Sequence, residues 1–121
     1  MSSFYITEDV HGDGLVVLAV AGEIDFAVSP QLKACVERHA KAGHNRLMLD
    51  LSEAGFIDST AIGVIVGCAT TLRGSDEGLL VLVCPVENRK ITRIFEIAGL
   101  EHAVNVYQSR EDALADITAA A

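Results

Sequence analysis

Tryptophan is missing from this 121-residue chain and aromatic side chains make up only 5% of it, although half of the residues are apolar. An interior must therefore be built from Val, Leu, Ile and Ala rather than from stacked rings. Basic residues are also few: 9 Lys and Arg against 17 Asp and Glu give a formal charge of −8. Nucleic-acid binding relies on cations that displace phosphate counterions, and anionic membrane surfaces select the same residues. Both are thus excluded as direct partners, which leaves a basic or mixed-charge protein surface. The cysteines Cys35, Cys68 and Cys84 are widely spaced and contain no Cys-x-x-Cys. That excludes a thiol redox motif or disulfide framework and points to reduced core cysteines. Long hydrophobic runs are lacking as well. Leu15–Ala21 and Leu79–Val86 fall short of the about 20 residues that cross a bilayer, and the N-terminal Met1-Ser2-Ser3-Phe4-Tyr5 has no signal-peptide pattern. A soluble cytoplasmic protein is expected.

Motifs that would announce a cofactor or a metal are absent too. No Gly-rich phosphate loop with a lysine occurs. The histidines His11, His39, His44 and His102 lack the spacing of a zinc helix or finger and read as solvent-exposed or helix-end residues. No cofactor and no metal are expected. With no linker and no internal repeat, residues 1–121 are expected to form one domain.

What is present is a regular alternation of elements. Phe4, Ile6 and Glu8 lead into the turn His11-Gly12-Asp13-Gly14, and the run Leu15–Ala21 closes at Gly22. Continuous apolarity predicts a strand buried on both faces, as at the centre of an α/β sheet. Ser29-Pro30 reads as an N-cap with proline at the first helical position, followed by Leu32, Cys35, Val36, His39 and Ala40 at helical spacing and a stop at Gly43. The strand Arg46–Leu51 comes next, and a loop carries the chain to Asp58. A second helix begins there, with Ile62, Ile65, Val66, Ala69 and Leu72 on one face and a stop at Gly74. Leu79–Cys84 is a further central strand. A third helix carries Ile91, Ile94, Phe95 and Ala98 inward, opens with the exposed charge of Glu87-Asn88-Arg89-Lys90, and ends at a Gly99-Leu100 cap. A short strand over residues 103–106 precedes a capping-box-like Ser109-Arg110-Glu111-Asp112, with Leu114 and Ile117 as buried positions of the last helix. The predicted fold is α/β, a mixed sheet covered by about four helices in the order ββαβαβαβα.

The stretch Phe56-Ile57-Asp58-Ser59-Thr60-Ala61-Ile62-Gly63 is chemically the most informative. Function in open α/β sheets gathers where strands hand over to helices. A helix start also offers unpaired N–H groups and the positive end of the helix dipole, which favour a phosphate. By local pattern alone, Asp58 and Ser59 could equally be an ordinary cap and its neighbour.

Gly22-Glu23-Ile24-Asp25, Leu49-Asp50-Leu51-Ser52 and Phe56–Gly63 occur in the order and spacing of the STAS domain, with Gly99-Leu100 also in place. Over nearly its whole length the chain resembles bacterial anti-sigma factor antagonists. The resemblance implies partner switching: the unmodified protein binds an anti-sigma factor that is also an ATP-dependent serine kinase, which frees the sigma factor. Phosphorylation of a serine in the Asp-Ser pair ends the complex, and a serine phosphatase resets it. Carried over by position, the phosphoacceptor is Ser59. Gly22, Ile24, Asp25, Asp58, Ser59 and Thr60 fall at partner-contact positions, with Thr60 standing where many relatives have a second serine. Two other readings are a non-switching scaffold module of the same fold and a small serine hydrolase. Against the latter, Ile57 and Ala61 occupy the glycine positions of Gly-x-Ser-x-Gly.

Overall fold

Strand β1 (Phe4–Val10) pairs antiparallel with β2 (Leu15–Ile24), from Phe4 opposite Gly22 to Val10 opposite Val16, in a computed structural model that describes residues 3–12, 14–75 and 78–119. The turn between them forms as expected: His11 N donates to Leu15 O at 2.8 Å and Gly14 takes φ 74°. Its Asp13 lies outside the described residues. Helix α1 (Ser29–Lys41) then crosses to β3 (Arg46–Asp50), which runs parallel to β2. Next come β4 (Ala54–Ile57), α2 (Ser59–Arg73), β5 (Leu79–Val83), α3 (Arg89–Ala98), β6 (Asn105–Tyr107) and α4 (Arg110–Ala119). The sheet order is β1-β2-β3-β5-β6, parallel from β2 onward, with β4 attached to β2.

Side-chain alternation divides the core into two layers. Val16, Leu18 and Val20 of β2 face a large cluster with Leu32 and Val36 of α1, Ile65 and Leu72 of α2, and Ile91 and Phe95 of α3. Leu15 and Val17 face the other way, joining Met48, Val81 and Val83 beneath Ala113 and Ile117 of α4. Three helices thus cover one face and α4 covers the other, which is why the central strands read as unbroken apolar runs. The three cysteines are free and buried, and burial pushes each thiol up from its usual range.

Several local expectations are corrected. The segment expected as a loop before Asp58 contains β4, which lies in line with β3 and pairs with the far half of β2. Strand β2 accordingly runs past Gly22 to Ile24. Gly22 takes φ 95°, the register shifts between Gly22 and Glu23, and a Cβ on Gly22 would lie 1.7 Å from Ser3 O. Only glycine permits that kink beside the edge strand. Ser29 is not the cap of α1: Val28 holds that position, and the buried Ser29 hydroxyl donates to Phe26 O at 3.3 Å. In α2 the buried stripe is Ala61, Ile65, Cys68, Ala69 and Leu72, so Ile62 and Val66 stand at its flank. Ala98 of α3 is exposed, Asn88 at its start is half-buried, and Glu87 lies before the helix in a turn. His39 is also corrected: only 5% exposed, it places Nε2 at 2.5 Å from Glu8 Oε1.

Other expected caps form. Gly99 ends α3 at φ 66° with Leu100 buried behind it, and the Ser109 hydroxyl accepts from Asp112 N at 3.1 Å to start α4. Between the two, Ala103 and Val104 precede β6 in a turn.

Candidate functional site

Two chain reversals meet at the carboxyl ends of β2 and β4. β2 ends at Ile24 and turns through Asp25–Val28 into α1, while β4 ends at Ile57 and enters α2 through Asp58. Asp58 occupies the N-cap position with extended backbone (φ −102°, ψ 175°), the conformation that lets an Asp side chain reach forward over the first turn. Its Oδ1 accepts from Ala61 N at 2.9 Å, and its Oδ2 accepts from Phe26 N at 2.8 Å in the other reversal. Asp58 N donates to Ile24 O at 3.2 Å, which continues the β2–β4 pairing. One carboxylate therefore caps a helix and fixes the neighbouring loop.

Asp25 does similar work within its own turn. Its Oδ1 accepts from Ala27 N at 3.0 Å and Val28 N at 3.2 Å, and its carbonyl accepts from Ser29 N at 2.9 Å. Asp rather than Ser supplies the local acceptor that opens α1. The turn raises Phe26 into solvent at 70% exposure. Phe56 lies opposite Glu23 on β4 and is 36% exposed. Phe26 was not singled out in the sequence, and Phe56 entered only as the first residue of the Phe56–Gly63 motif, not as an exposed ring. Their signal was an apolar ring set directly after Gly-Glu-Ile-Asp and another directly before Ile-Asp-Ser.

Ser59 is the first residue of α2 and is exposed, as is Thr60. Ala61 N is taken by the Asp58 side chain and Ile62 N by the Asp58 carbonyl, leaving Ser59 and Thr60 as the first amides of the helix. Asp25 and Asp58 are half-buried beside them. Two other expected contact positions have structural duties. Ile24 is 0% exposed, so its side chain belongs to the core and offers a partner nothing; this corrects its assignment to the contact surface. Half-buried Gly22 serves through its backbone, donating from N to Glu53 O at 3.2 Å at the β2 kink. The structure thus brings Asp25, Asp58, Ser59 and Thr60 together and places Ile24 beneath them.

The remaining polar groups brace the frame. Asn88 Nδ2 donates to Leu51 O at 3.2 Å and Ala54 O at 2.9 Å, which joins the start of α3 to the β3–β4 connection. Asp50 accepts from the Ser52 hydroxyl at 2.5 Å and from Arg110 Nε at 2.6 Å. Burial raises the Asp50 carboxyl, but the bonds from Ser52 and Arg110 outweigh it and hold the group below its usual range. The Tyr107 hydroxyl donates to Asp116, a bond that with burial pushes the phenol up to about 12. The four histidines engage Glu8, one another, Asp9 and Glu101 rather than Ser59.

The sequence model of the STAS domain matches residues 6–113. The anti-sigma-B factor antagonist of Listeria monocytogenes is 33% identical over 87 residues, spanning 72% of this chain and 74% of that protein. The chain belongs to the STAS-domain anti-sigma factor antagonist family. An anti-sigma factor antagonist from Mycobacterium paratuberculosis shares the fold with TM-score 0.81 at 24% identity, covering 96% of this chain and 95% of that one. The phosphorylated form of the Bacillus cell fate determinant SpoIIAA matches with TM-score 0.69 at 19% identity, over 93% of this chain and 99% of that one. Within this STAS domain, the Asp58 clamp is what sets the strand-to-helix handover of β4 and α2 against that of β2 and α1. Among the described residues, no helix is long and apolar enough to cross a membrane.

Proposed function

We propose that this STAS domain is an anti-sigma factor antagonist gated at Ser59. Unmodified, it binds an anti-sigma factor that is also a serine kinase and so releases the sigma factor. The kinase transfers the γ-phosphoryl group of ATP to Ser59 Oγ, ADP departs with the displaced bond, and the hydroxyl proton is lost to the kinase or solvent. A serine phosphatase reverses the modification. The observation that carries this reading is the exposure of Ser59 at the first position of α2, beside a loop that Asp58 holds and from which Phe26 projects. An apolar ring next to an accessible hydroxyl offers a partner both an anchor and a point of control.

A phosphate brings about −1.5 to −2 charges at neutral pH. At a helix start it meets the favourable end of the dipole, so the domain stays folded. In a docked interface beside Phe26 the same charge would have to shed water against apolar surface, with Asp25 and Asp58 adding negative charge nearby. A loss of about 1.4 kcal/mol weakens binding tenfold, and a desolvated dianion costs more than that.

The test combines phosphosite mapping with binding. Incubation with the cognate kinase and ATP is expected to place phosphate on Ser59, with Thr60→Ala leaving the reaction intact. Ser59→Ala should fold, resist phosphorylation and keep the partner, whereas Ser59→Asp should bind at least about tenfold more weakly. Phosphate found only elsewhere, or equal affinities for the two variants, would overturn the proposal.

A further inference from the structure

At the end of α1 away from the Asp25 turn, three kinds of metal-ligating atom converge. Glu8 of β1 supplies a carboxylate oxygen, and Cys35 and His39, four residues apart on one face of α1, supply a sulfur and a ring nitrogen. These donor atoms lie within 4.8 Å of one another. Cys35 is 7% exposed and His39 is 5% exposed, so two of the three are fixed by packing, while Glu8 closes the cluster from the edge strand.

The hydrogen bonding of His39 is what a metal ligand requires. Its Nδ1 stands 3.2 Å from His44 Nδ1, so one of these two nitrogens carries a proton and the other accepts it. His39 Nε2 faces Glu8 Oε1 at 2.5 Å, a hydrogen bond in the metal-free domain, and loss of its proton would free lone pairs on both atoms for a cation. A ligating histidine has this arrangement: one nitrogen on the metal, and the other N–H held by a neighbour that fixes ring and tautomer. Arg38 Nη2 straddles the same carboxylate, at 2.9 Å from Oε1 and 3.0 Å from Oε2. With Oε1 on a metal, the Oε2 bond to Arg38 would keep the carboxylate oriented.

The geometry points to a site for a zinc-class divalent cation, bound by Glu8 Oε1, Cys35 Sγ and His39 Nε2, with His44 supporting His39 from behind. Sulfur and imidazole favour zinc or cobalt over magnesium or calcium, and three protein ligands leave a fourth tetrahedral position for water. Bonds of about 2.0–2.3 Å set neighbouring donors about 3.3–3.6 Å apart, so Glu8 and His39 must separate by about 1 Å. Glu8 sits on the edge strand, where a side-chain rotation supplies that movement. On binding, the proton shared by His39 Nε2 and Glu8 Oε1 and the Cys35 thiol proton pass to solvent, and metal bonds to Oε1, Nε2 and Sγ form in place of the Glu8–His39 hydrogen bond. The ion would then join β1 to α1.

Untagged, chelator-stripped protein titrated calorimetrically with zinc chloride tests the site, with cobalt(II) as a spectroscopic probe of the same ligands. One equivalent should bind, and cobalt should develop a near-ultraviolet sulfur-to-metal band. Cys35→Ser should abolish that band. The double variant Cys68→Ser/Cys84→Ser, which keeps Cys35 as its lone thiol, should retain it; this settles the ligand even if Cys35→Ser fails to fold. His44→Gln should weaken zinc binding about 10–100-fold, and His39→Gln should weaken it further. No uptake, uptake without the sulfur band, or loss of the band from the double variant would overturn the site.

Discussion

Asp58 holds two backbone amides with one carboxylate, and this dual duty can be separated by mutation. Its Oδ1 caps α2 at Ala61 N, while its Oδ2 holds Phe26 N across a sequence separation of 32 residues. Removing an Asp cap costs about 0.5–2 kcal/mol, and a hydrogen bond to a partly exposed charged group adds about 1 kcal/mol. Asp58→Ala should therefore destabilise the domain by about 1.5–3 kcal/mol, a loss that a fold with about 5–15 kcal/mol in hand survives. Asp58→Asn is the sharper perturbation. Asparagine has one acceptor oxygen, so it can hold Ala61 N or Phe26 N but not both, and its amide group repels the amide left over. Native-state hydrogen exchange reads the two positions separately. In the wild type both amides should be protected. In Asp58→Ala both should exchange about tenfold faster or more, since that ratio corresponds to 1.4 kcal/mol. In Asp58→Asn one should stay protected while the other opens. Equal protection of both amides in Asp58→Asn, or an unchanged denaturation midpoint for Asp58→Ala, would refute the clamp.

Three further outcomes follow from the frame around the site. Gly22→Ala places a Cβ 1.7 Å from Ser3 O at φ 95°, so it should cost more than about 1–2 kcal/mol and loosen β1 first, read by urea denaturation and by exchange of the β1 amides. The folded Asp50 carboxyl lies below its usual value of 3.8, so its contribution is complete above that value and is lost as pH falls through the lowered one. Denaturation midpoints followed from about pH 6 to about pH 3 should fall in the wild type and fall less steeply in Asp50→Asn. Ile117 of α4 is 4% exposed and packs that helix onto its face of the sheet, so Ile117→Ala should cost about 2–5 kcal/mol by thermal or chemical unfolding.

The alternation of elements was legible because unbroken runs such as Leu15–Ala21 can be buried only where helices cover both faces, and the placing of Val16 and Val17 in opposite core layers follows from strand geometry. The cap at Asp58 was legible for a similar reason: an acidic side chain directly before an apolar helical stripe has few other local roles. What was not legible depended on contacts between distant segments. β4 has only four residues, two of them exposed, and it is a strand because β2 continues past Gly22 to meet it. Ser29 looked like a cap until Asp25, four residues earlier, was seen to hold the amides of that turn. The burial of His39 likewise depends on Glu8, 31 residues away on a strand that carries little apolar pattern of its own.

The placement of Asp25 and Asp58 also refines how a charge on Ser59 would act. Had both carboxylates pointed freely at the serine, phosphorylation would strain the folded domain itself. Instead, Asp25 is bonded to Ala27 and Val28 N–H, and Asp58 to Ala61 and Phe26 N–H. Their charge is spread over backbone donors and does not depend on a bound partner. On the proposed gating, a phosphate shares the helix start with Asp58 and can use the amides of Ser59 and Thr60 that Asp58 leaves available. The free domain then pays little for modification, and the penalty falls on the complex, where water around the dianion must be removed beside the exposed ring of Phe26. A switch built this way separates stability from affinity. Ser59→Asp should unfold within about 0.5 kcal/mol of the wild type, as exposed substitutions do, even where its binding is lost.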